Sequence, residues 1–145
     1  SALNSEITIR TYPTRLIEEN AQEIISQYDI VVDGCDNFST RYLINDICAE
    51  MGKVYVYGAI CGFEGQVSVF HYGEEKKSYR DLYPDEEEMR RMPPPSKGVM
   101  GITPAVTGSI EATEVLKIIC SFGEVLSGKL WTIDLRTLQS NKFSL

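Results

Sequence analysis

The chain has 145 residues, with 21 acidic side chains against 14 basic ones and a net charge of −7 near neutral pH. That length suits one domain, and a hydrophobic fraction of 43% is ordinary for a globular fold. No apolar run approaches the ~20 residues of a membrane span, and no basic-then-apolar leader opens the chain. Scattered Lys and Arg in an acidic chain lack the basic footprint of a nucleic-acid binder.

In chain order, Ile7 to Tyr12 alternates apolar and polar residues and reads as a strand. Asn20 to Gln27 follows as a helix with a capping-box-like start, Asn20 and Glu23, packed by Ile24 and Ile25. Tyr28 to Asp33 is a β-branched run whose Ile30-Val31-Val32 core suits a strand covered on both faces. From Asp36 a helix runs to Gly52, with the stripe Leu43, Ile44, Ile47, Cys48 and Met51 facing a core and Gly52 closing it. Lys53 to Ala59 and Gln66 to Tyr72 form two strands joined by a short glycine-bearing loop. From Gly73 to Gly98 the chain is charged and poor in core candidates, with Asp85-Glu86-Glu87-Glu88 and Pro93-Pro94-Pro95. It reads as a structureless segment, either a functional lid or a solvated loop. A helix from Pro104 to Cys120 is packed by Val106, Ile110 and Leu116, and Gly108 and Ala112 allow close approach. Two short strands, Lys129 to Ile133 and Gln139 to Leu145, finish the chain. This order predicts an α/β fold, a Rossmann-like doubly wound sheet whose parallel strands continue into antiparallel ones, with no second domain.

The cysteines are Cys35, Cys48, Cys61 and Cys120, without a C-x-x-C pair, and the one histidine is His71. A zinc finger or ribbon needs two close pairs of soft ligands, which this set does not supply. The four are expected as reduced, mostly buried thiols in a cytoplasmic protein, three of them in apolar surroundings. Cys35 and Cys61 stand apart because each follows a strand into a loop. His71, at a strand end, reads as a surface or edge residue rather than a ligand or base.

In open α/β sheets the ligand sits beyond the carboxyl ends of the strands. Here that point is Asp33-Gly34-Cys35-Asp36-Asn37. Asp36 has two readings. It can cap the following helix by accepting the Ser39 amide, or it can hold a magnesium ion, which usually takes one or two carboxylates plus substrate phosphates. Asn37 can contact a nucleotide or only its own backbone. The chain has no G-x-G-x-x-G, no P-loop and no G-x-S-x-G elbow.

Asp33-Gly34-Cys35-Asp36-Asn37-Phe38-Ser39-Thr40-Arg41 resembles the D-x-x-D-N-x-x-x-R signature of the ThiF/MoeB/HesA family, the ubiquitin-activating-enzyme-like adenylyltransferases of sulfur-carrier proteins. The likeness continues in the family's order through Gly58-Ala59, Glu64-Gly65-Gln66-Val67, Tyr79 to Pro84, Gly98-Val99-Met100-Gly101 and Gly108 to Ala112. The resemblance implies use of ATP and magnesium to attach AMP to the Gly-Gly carboxylate of a small ubiquitin-like carrier, in thiamin- or molybdopterin-type sulfur transfer. It implies a homodimer as well. On the matching positions Asp36 becomes the catalytic, metal-linked carboxylate and Asn37 a nucleotide contact. Arg41 becomes a structural partner for a carboxylate. Glu64-Gly65-Gln66 would shape the turn near the carrier tail, and residues 73–98 would be a mobile crossover over it.

Departures from the family pattern carry their own expectations. Ser78-Tyr79-Arg80-Asp81 stands where members have a C-x-x-C, and no second C-x-x-C follows, so structural zinc is expected to be absent. Pro93 to Lys97 stands where some members carry a reactive cysteine. The family's Gly-rich phosphate loop, ribose-binding Asp and triphosphate-binding Arg and Lys precede the matched region. The chain is therefore expected to be the C-terminal portion of a longer adenylyltransferase, a single partial domain over 1–145 that is inactive alone. Two alternatives stand beside this: a catalytically reduced relative that binds a ubiquitin-like protein or dimerises, and half of a Rossmann oxidoreductase, which the missing dinucleotide fingerprint disfavours.

Overall fold

The computed structural model describes residues 4–92 and 98–145. Five strands form one sheet in the order β1-β2-β3-β4-β5. β1 (Ile30–Val32) pairs in parallel with β2 (Val54–Cys61), with Ile30 opposite Val54. β3 (Glu64–Phe70), β4 (Lys129–Asp134) and β5 (Gln139–Ser144) continue from β2 as antiparallel neighbours. The parallel-then-antiparallel expectation therefore holds, with a single parallel pair among the described residues.

Strand alternation sorts β2 onto two faces. Tyr55 and Tyr57 point to one side, where with Phe70 they join Tyr42, Ile44 and Cys48 of α2 (Phe38–Met51) and Tyr79 in a largely aromatic core. Val56, Val67 and Val69 point to the other side, toward α5 (Ile102–Cys120) and Leu126. α1 (Glu18–Ile25) lies against α2 through Ala21 and Ile25. The layers are thus helices, sheet and one long helix.

The α2 stripe is placed as its period predicts, and Gly52 ends the helix at φ 63°, a left-handed cap that suits glycine. Other expectations need correction. Ile7 to Tyr12 is not a strand: Ile7 and Ile9 are 51% and 63% exposed, and among the described residues no neighbouring strand takes up their backbone groups. α1 begins at Glu18 rather than Asn20, because Asn20 works from inside the first turn, its Oδ1 accepting the Ile17 amide at 2.9 Å. β3 starts two residues early and stops at Phe70, where His71 turns the chain at φ 58°. His71 is half-buried, with Nε2 3.0 Å from Asn45 Oδ1, and burial pushes its pKa down.

Residues 73–92 are not structureless. Two short helices occupy them, α3 (Tyr79–Leu82) and α4 (Glu86–Arg91), both packed on α2. Ser78 and Asp81, at the positions where a C-x-x-C was absent, instead cap α3: Ser78 Oγ accepts the Arg80 amide and Asp81 accepts the Ser78 amide at 2.7 Å. Arg80 bridges Asp46 and Glu86 at 2.6 and 2.9 Å and lies over the Tyr42 ring. The Pro93–Lys97 stretch lies outside the described residues.

All four cysteines are free, but the expectation of mostly buried thiols fails: Cys48 is buried and Cys35 half-buried, whereas Cys61 and Cys120 are exposed. Both exposed residues end an element, Cys61 at the sheet's rim and Cys120 at the last position of α5. α5 also departs from an apolar stripe. It buries Thr103, Thr107, Glu111 and Glu114 while leaving Leu116 52% exposed. Among the described residues no helix is long and apolar enough to cross a membrane.

Candidate active site

The site grows from the turn between β1 and α2. Asp33 leaves the strand with its amide bonded to Val56 O, and its carboxylate is almost fully enclosed. Oδ1 accepts the Cys35 amide at 2.6 Å, and Oδ2 accepts both Arg41 Nε at 2.9 Å and Tyr55 OH at 3.0 Å. Arg41, one turn into α2, also donates Nη2 to Cys35 O at 2.6 Å, so one guanidinium binds both sides of the turn. Burial opposes the Arg41 charge, yet Asp33 outweighs it and the group stays protonated. The Arg41 expectation, a structural partner for a carboxylate, is met at this distance. A buried charge pair survives only with good geometry and added hydrogen bonds, which here are the Cys35 amide and Tyr55 hydroxyl on Asp33 and the Cys35 carbonyl on Arg41. The Cys35 thiol is pushed up to about 12 by burial and by Asp33, which keeps it protonated and unreactive.

This clamp holds Asp36 at the outside of the turn. The expectation that Asp36 caps the helix through the Ser39 amide is overturned. Asn37, one residue on, is the N-cap, its Oδ1 accepting the Thr40 amide at 2.8 Å. Asn37 Nδ2 donates to Asp36 Oδ1 at 3.2 Å. The exposed Asp36 carboxylate is therefore spared from capping and stands at the carboxyl end of β1. Asn37 has its oxygen committed to the helix, a role the sequence alone left open.

Beside Asp36 opens a cavity of about 480 Å³ that crosses the sheet to Thr132 and Asn141. Phe38, Tyr57 and Tyr83 supply aromatic wall, and Ala59 and Gly65 keep it close to the backbone. Gln66 reaches into it, its Nε2 donating to Tyr57 OH at 2.6 Å and Tyr83 OH at 3.0 Å. Burial raises the Tyr57 pKa well above its ordinary value, so this phenol stays neutral. Tyr83 is itself fixed, since its carbonyl accepts Tyr42 OH at 2.7 Å. Met92 also lines the cavity, which puts the end of the 73–92 segment at its wall. Glu64 is exposed and paired with Arg136 at 3.0 Å. Sequence reading gave Asp33 no role beyond the motif's first position and Gln66 only a place in the turn near the carrier tail, and it missed Tyr55, Tyr57 and Tyr83 as their partners. An acidic residue at a strand end with an arginine eight positions later was the available signal for the first.

The cavity, the carboxylate at its mouth and the clamp beneath them can hold an extended chain end against a polar, metal-competent edge. Among the described residues no group of three or more His, Cys, Asp or Glu side chains converges on a metal position. A metal at Asp36 would thus rest on one protein carboxylate and on the substrate.

Comparison with known proteins gives the family. The chain is 45% identical over 145 residues to a probable molybdopterin-synthase adenylyltransferase of Pyropia yezoensis, covering 99% of this chain and 38% of that protein. It is 46% identical over 144 residues to a sulfur carrier protein adenylyltransferase of Thermus thermophilus, covering 92% of this chain and 51% of that protein. The chain thus spans about half or less of the relatives it matches. A solved structure of E. coli MccB with ATP shares the fold, with a TM-score of 0.75 at 19% identity over 97% of this chain and 43% of that one. The ThiF family model matches residues 1–145, and the chain belongs to the ThiF family.

Proposed function

We propose that this chain is part of an ATP-dependent adenylyltransferase that activates the C-terminal carboxylate of a ubiquitin-like sulfur-carrier protein as an acyl-adenylate. The observation that carries the reading is the cavity running from Asp36 past Gln66 to Asn141 in a ThiF-family chain. The adenylyltransferase names of relatives at 45% and 46% identity support it. The carrier would be of the thiamin or molybdopterin type, ending in Gly-Gly, and the enzyme a homodimer.

Asp36 fits magnesium by donor chemistry. It is an exposed carboxylate with a single side-chain bond, and magnesium commonly takes one or two carboxylates with phosphate oxygens and water. Bound there, the ion would neutralise charge on the leaving pyrophosphate. The chain's own residues do the positioning. Asp33, Arg41 and Tyr55 fix the turn so that Asp36 enters the reaction already placed, which avoids paying for order in the transition state. The Gln66 amide nitrogen donates to the Tyr57 and Tyr83 hydroxyls, which leaves the amide oxygen to accept from the peptide groups of a narrow Gly-Gly tail. That tail's carboxylate then meets the α-phosphorus at the Asp36 end, the new acyl–phosphate bond forming as the bond to pyrophosphate breaks.

The test is mass spectrometry of the carrier after incubation with ATP, magnesium and the longer protein. An adenylyl adduct on the carrier, lost on mild hydrolysis, is expected. The 145 residues alone should give none, because the chain contains no Gly-rich phosphate loop. Absence of adduct with the longer protein and every candidate carrier would reject the reading.

A further inference from the structure

A second, smaller cavity of about 130 Å³ opens toward α5, sharing Arg41, Ala59 and Ile60 with the wall of the one assigned to the carrier tail. α5 lays Thr107 and Glu111, one turn apart, onto the sheet, and both are buried, at 3% and 7% exposure. Among the described residues neither Thr107 Oγ1 nor Glu111 Oε1 has a hydrogen-bond partner. Their burial is built in. Gly58 lies under the Glu111 carboxylate and Gly65 under the Thr107 hydroxyl, and a Cβ at either glycine would collide with the group above it. Gly65 pairs with Ile60, two residues along β2 from Gly58, so the two glycines form one bare patch on the α5 face. Buried polar atoms in native structures are almost always satisfied, and two adjacent orphans facing one cavity call for an occupant.

Charge identifies it. The other charged groups on the cavity wall are Asp33 and Arg41, which neutralise each other at 2.9 Å. Glu111 is left with one negative charge and no cation. Water would satisfy its hydrogen bond but not the charge, and an unpaired buried carboxylate is costly. A divalent ion would leave an excess positive charge beside Arg41. We propose that the Thr107–Glu111 cavity binds a single alkali cation, held by the Glu111 carboxylate, the Thr107 hydroxyl and a few waters that the volume admits. Burial and the Asp33 charge push the empty Glu111 carboxyl up to about 7, with Arg41 pulling it back, so protons compete with the cation.

The test is thermal unfolding of the chain in KCl, NaCl and choline chloride at equal ionic strength. At pH 8 the midpoint should rise saturably with K⁺ or Na⁺ over choline. The rise should vanish in Glu111→Gln and shrink in Thr107→Val. Apparent affinity should weaken roughly tenfold per pH unit below about pH 7, as expected when one proton displaces the ion. A bound thallium(I) NMR signal in the wild-type chain, displaced by K⁺, reads the same site without any variant. Equal midpoints in all three salts, an undiminished rise in Glu111→Gln, or no displaceable thallium signal would overturn the proposal.

Discussion

Replacing Arg41 with Met removes the cation from the clamp while keeping most of its bulk. Asp33, whose side chain is fully enclosed, then loses its bond to Arg41 Nε, and Cys35 O loses Arg41 Nη2. The carboxylate keeps the Cys35 amide and Tyr55 OH, so it is stranded without charge balance rather than without donors. Breaking one side of a buried pair costs about 3–5 kcal/mol. The two surviving donors place this case near the lower end, at about 3 kcal/mol. Urea unfolding at pH 7 reads the loss directly, as a lower midpoint at unchanged slope. The double variant Arg41→Met with Asp33→Asn should recover at least half of the loss, since the unbalanced charge is gone. A loss below about 1 kcal/mol in Arg41→Met, or no recovery in the double variant, would refute the claim that ion pairing holds this turn.

Further outcomes follow from other parts of the fold. Glu114, buried on α5, accepts the Leu126 amide at 2.8 Å and Lys117 Nζ at 2.5 Å, so Glu114→Ala should cost about 2–3 kcal/mol by leaving that amide unpaired; an effect under 0.5 kcal/mol in urea unfolding would count against this. With an aromatic disulfide reagent, exposed Cys61 and Cys120 should react quickly and Cys35 and Cys48, whose thiols burial pushes up to about 12, only on unfolding; four equally fast thiols would contradict the structure. In choline chloride, the raised Glu111 pKa favours the folded state fully below the unfolded carboxyl pKa of about 4.3 and loses that advantage as pH climbs to about 7. Stability should fall by about 3 kcal/mol across that window relative to Glu111→Gln, and parallel pH profiles would refute it.

The elements that sequence made visible are those whose side chains meet the core directly. The Leu43–Met51 stripe and the alternating β2 and β3 runs are locally periodic and bury one face, so pattern and structure agree. Ile7 to Tyr12 has the pattern but lacks a pairing partner among the described residues, and alternation alone does not make a strand. α4 shows the converse. Asp85 caps it, Glu86 to Glu88 fill its first turn, and Glu86–Arg90 and Glu87–Arg91 pair four apart, so it is held by charge rather than an apolar stripe. The Asp36–Asn37 motif was legible, but the division of labour between them was not. Which residue caps a helix depends on where its first turn begins, and a shift of one residue moved the cap from Asp36 to Asn37. The Thr107 and Glu111 burial was hidden because the glycines that admit them, Gly65 on β3 and Gly58 on β2, lie far earlier in the chain.

The account rests most heavily on Asp36 as a carboxylate spared from structure for chemistry. Carrier-dependent exchange of pyrophosphate into ATP by the longer protein, compared with its Asp36→Ala variant, tests this directly. The account predicts loss of exchange by at least a hundredfold, on the order expected when an electrostatic catalytic contact is removed. Unfolding stability should stay within about 0.5 kcal/mol, as for a surface change. Full exchange by a folded Asp36→Ala protein would contradict it.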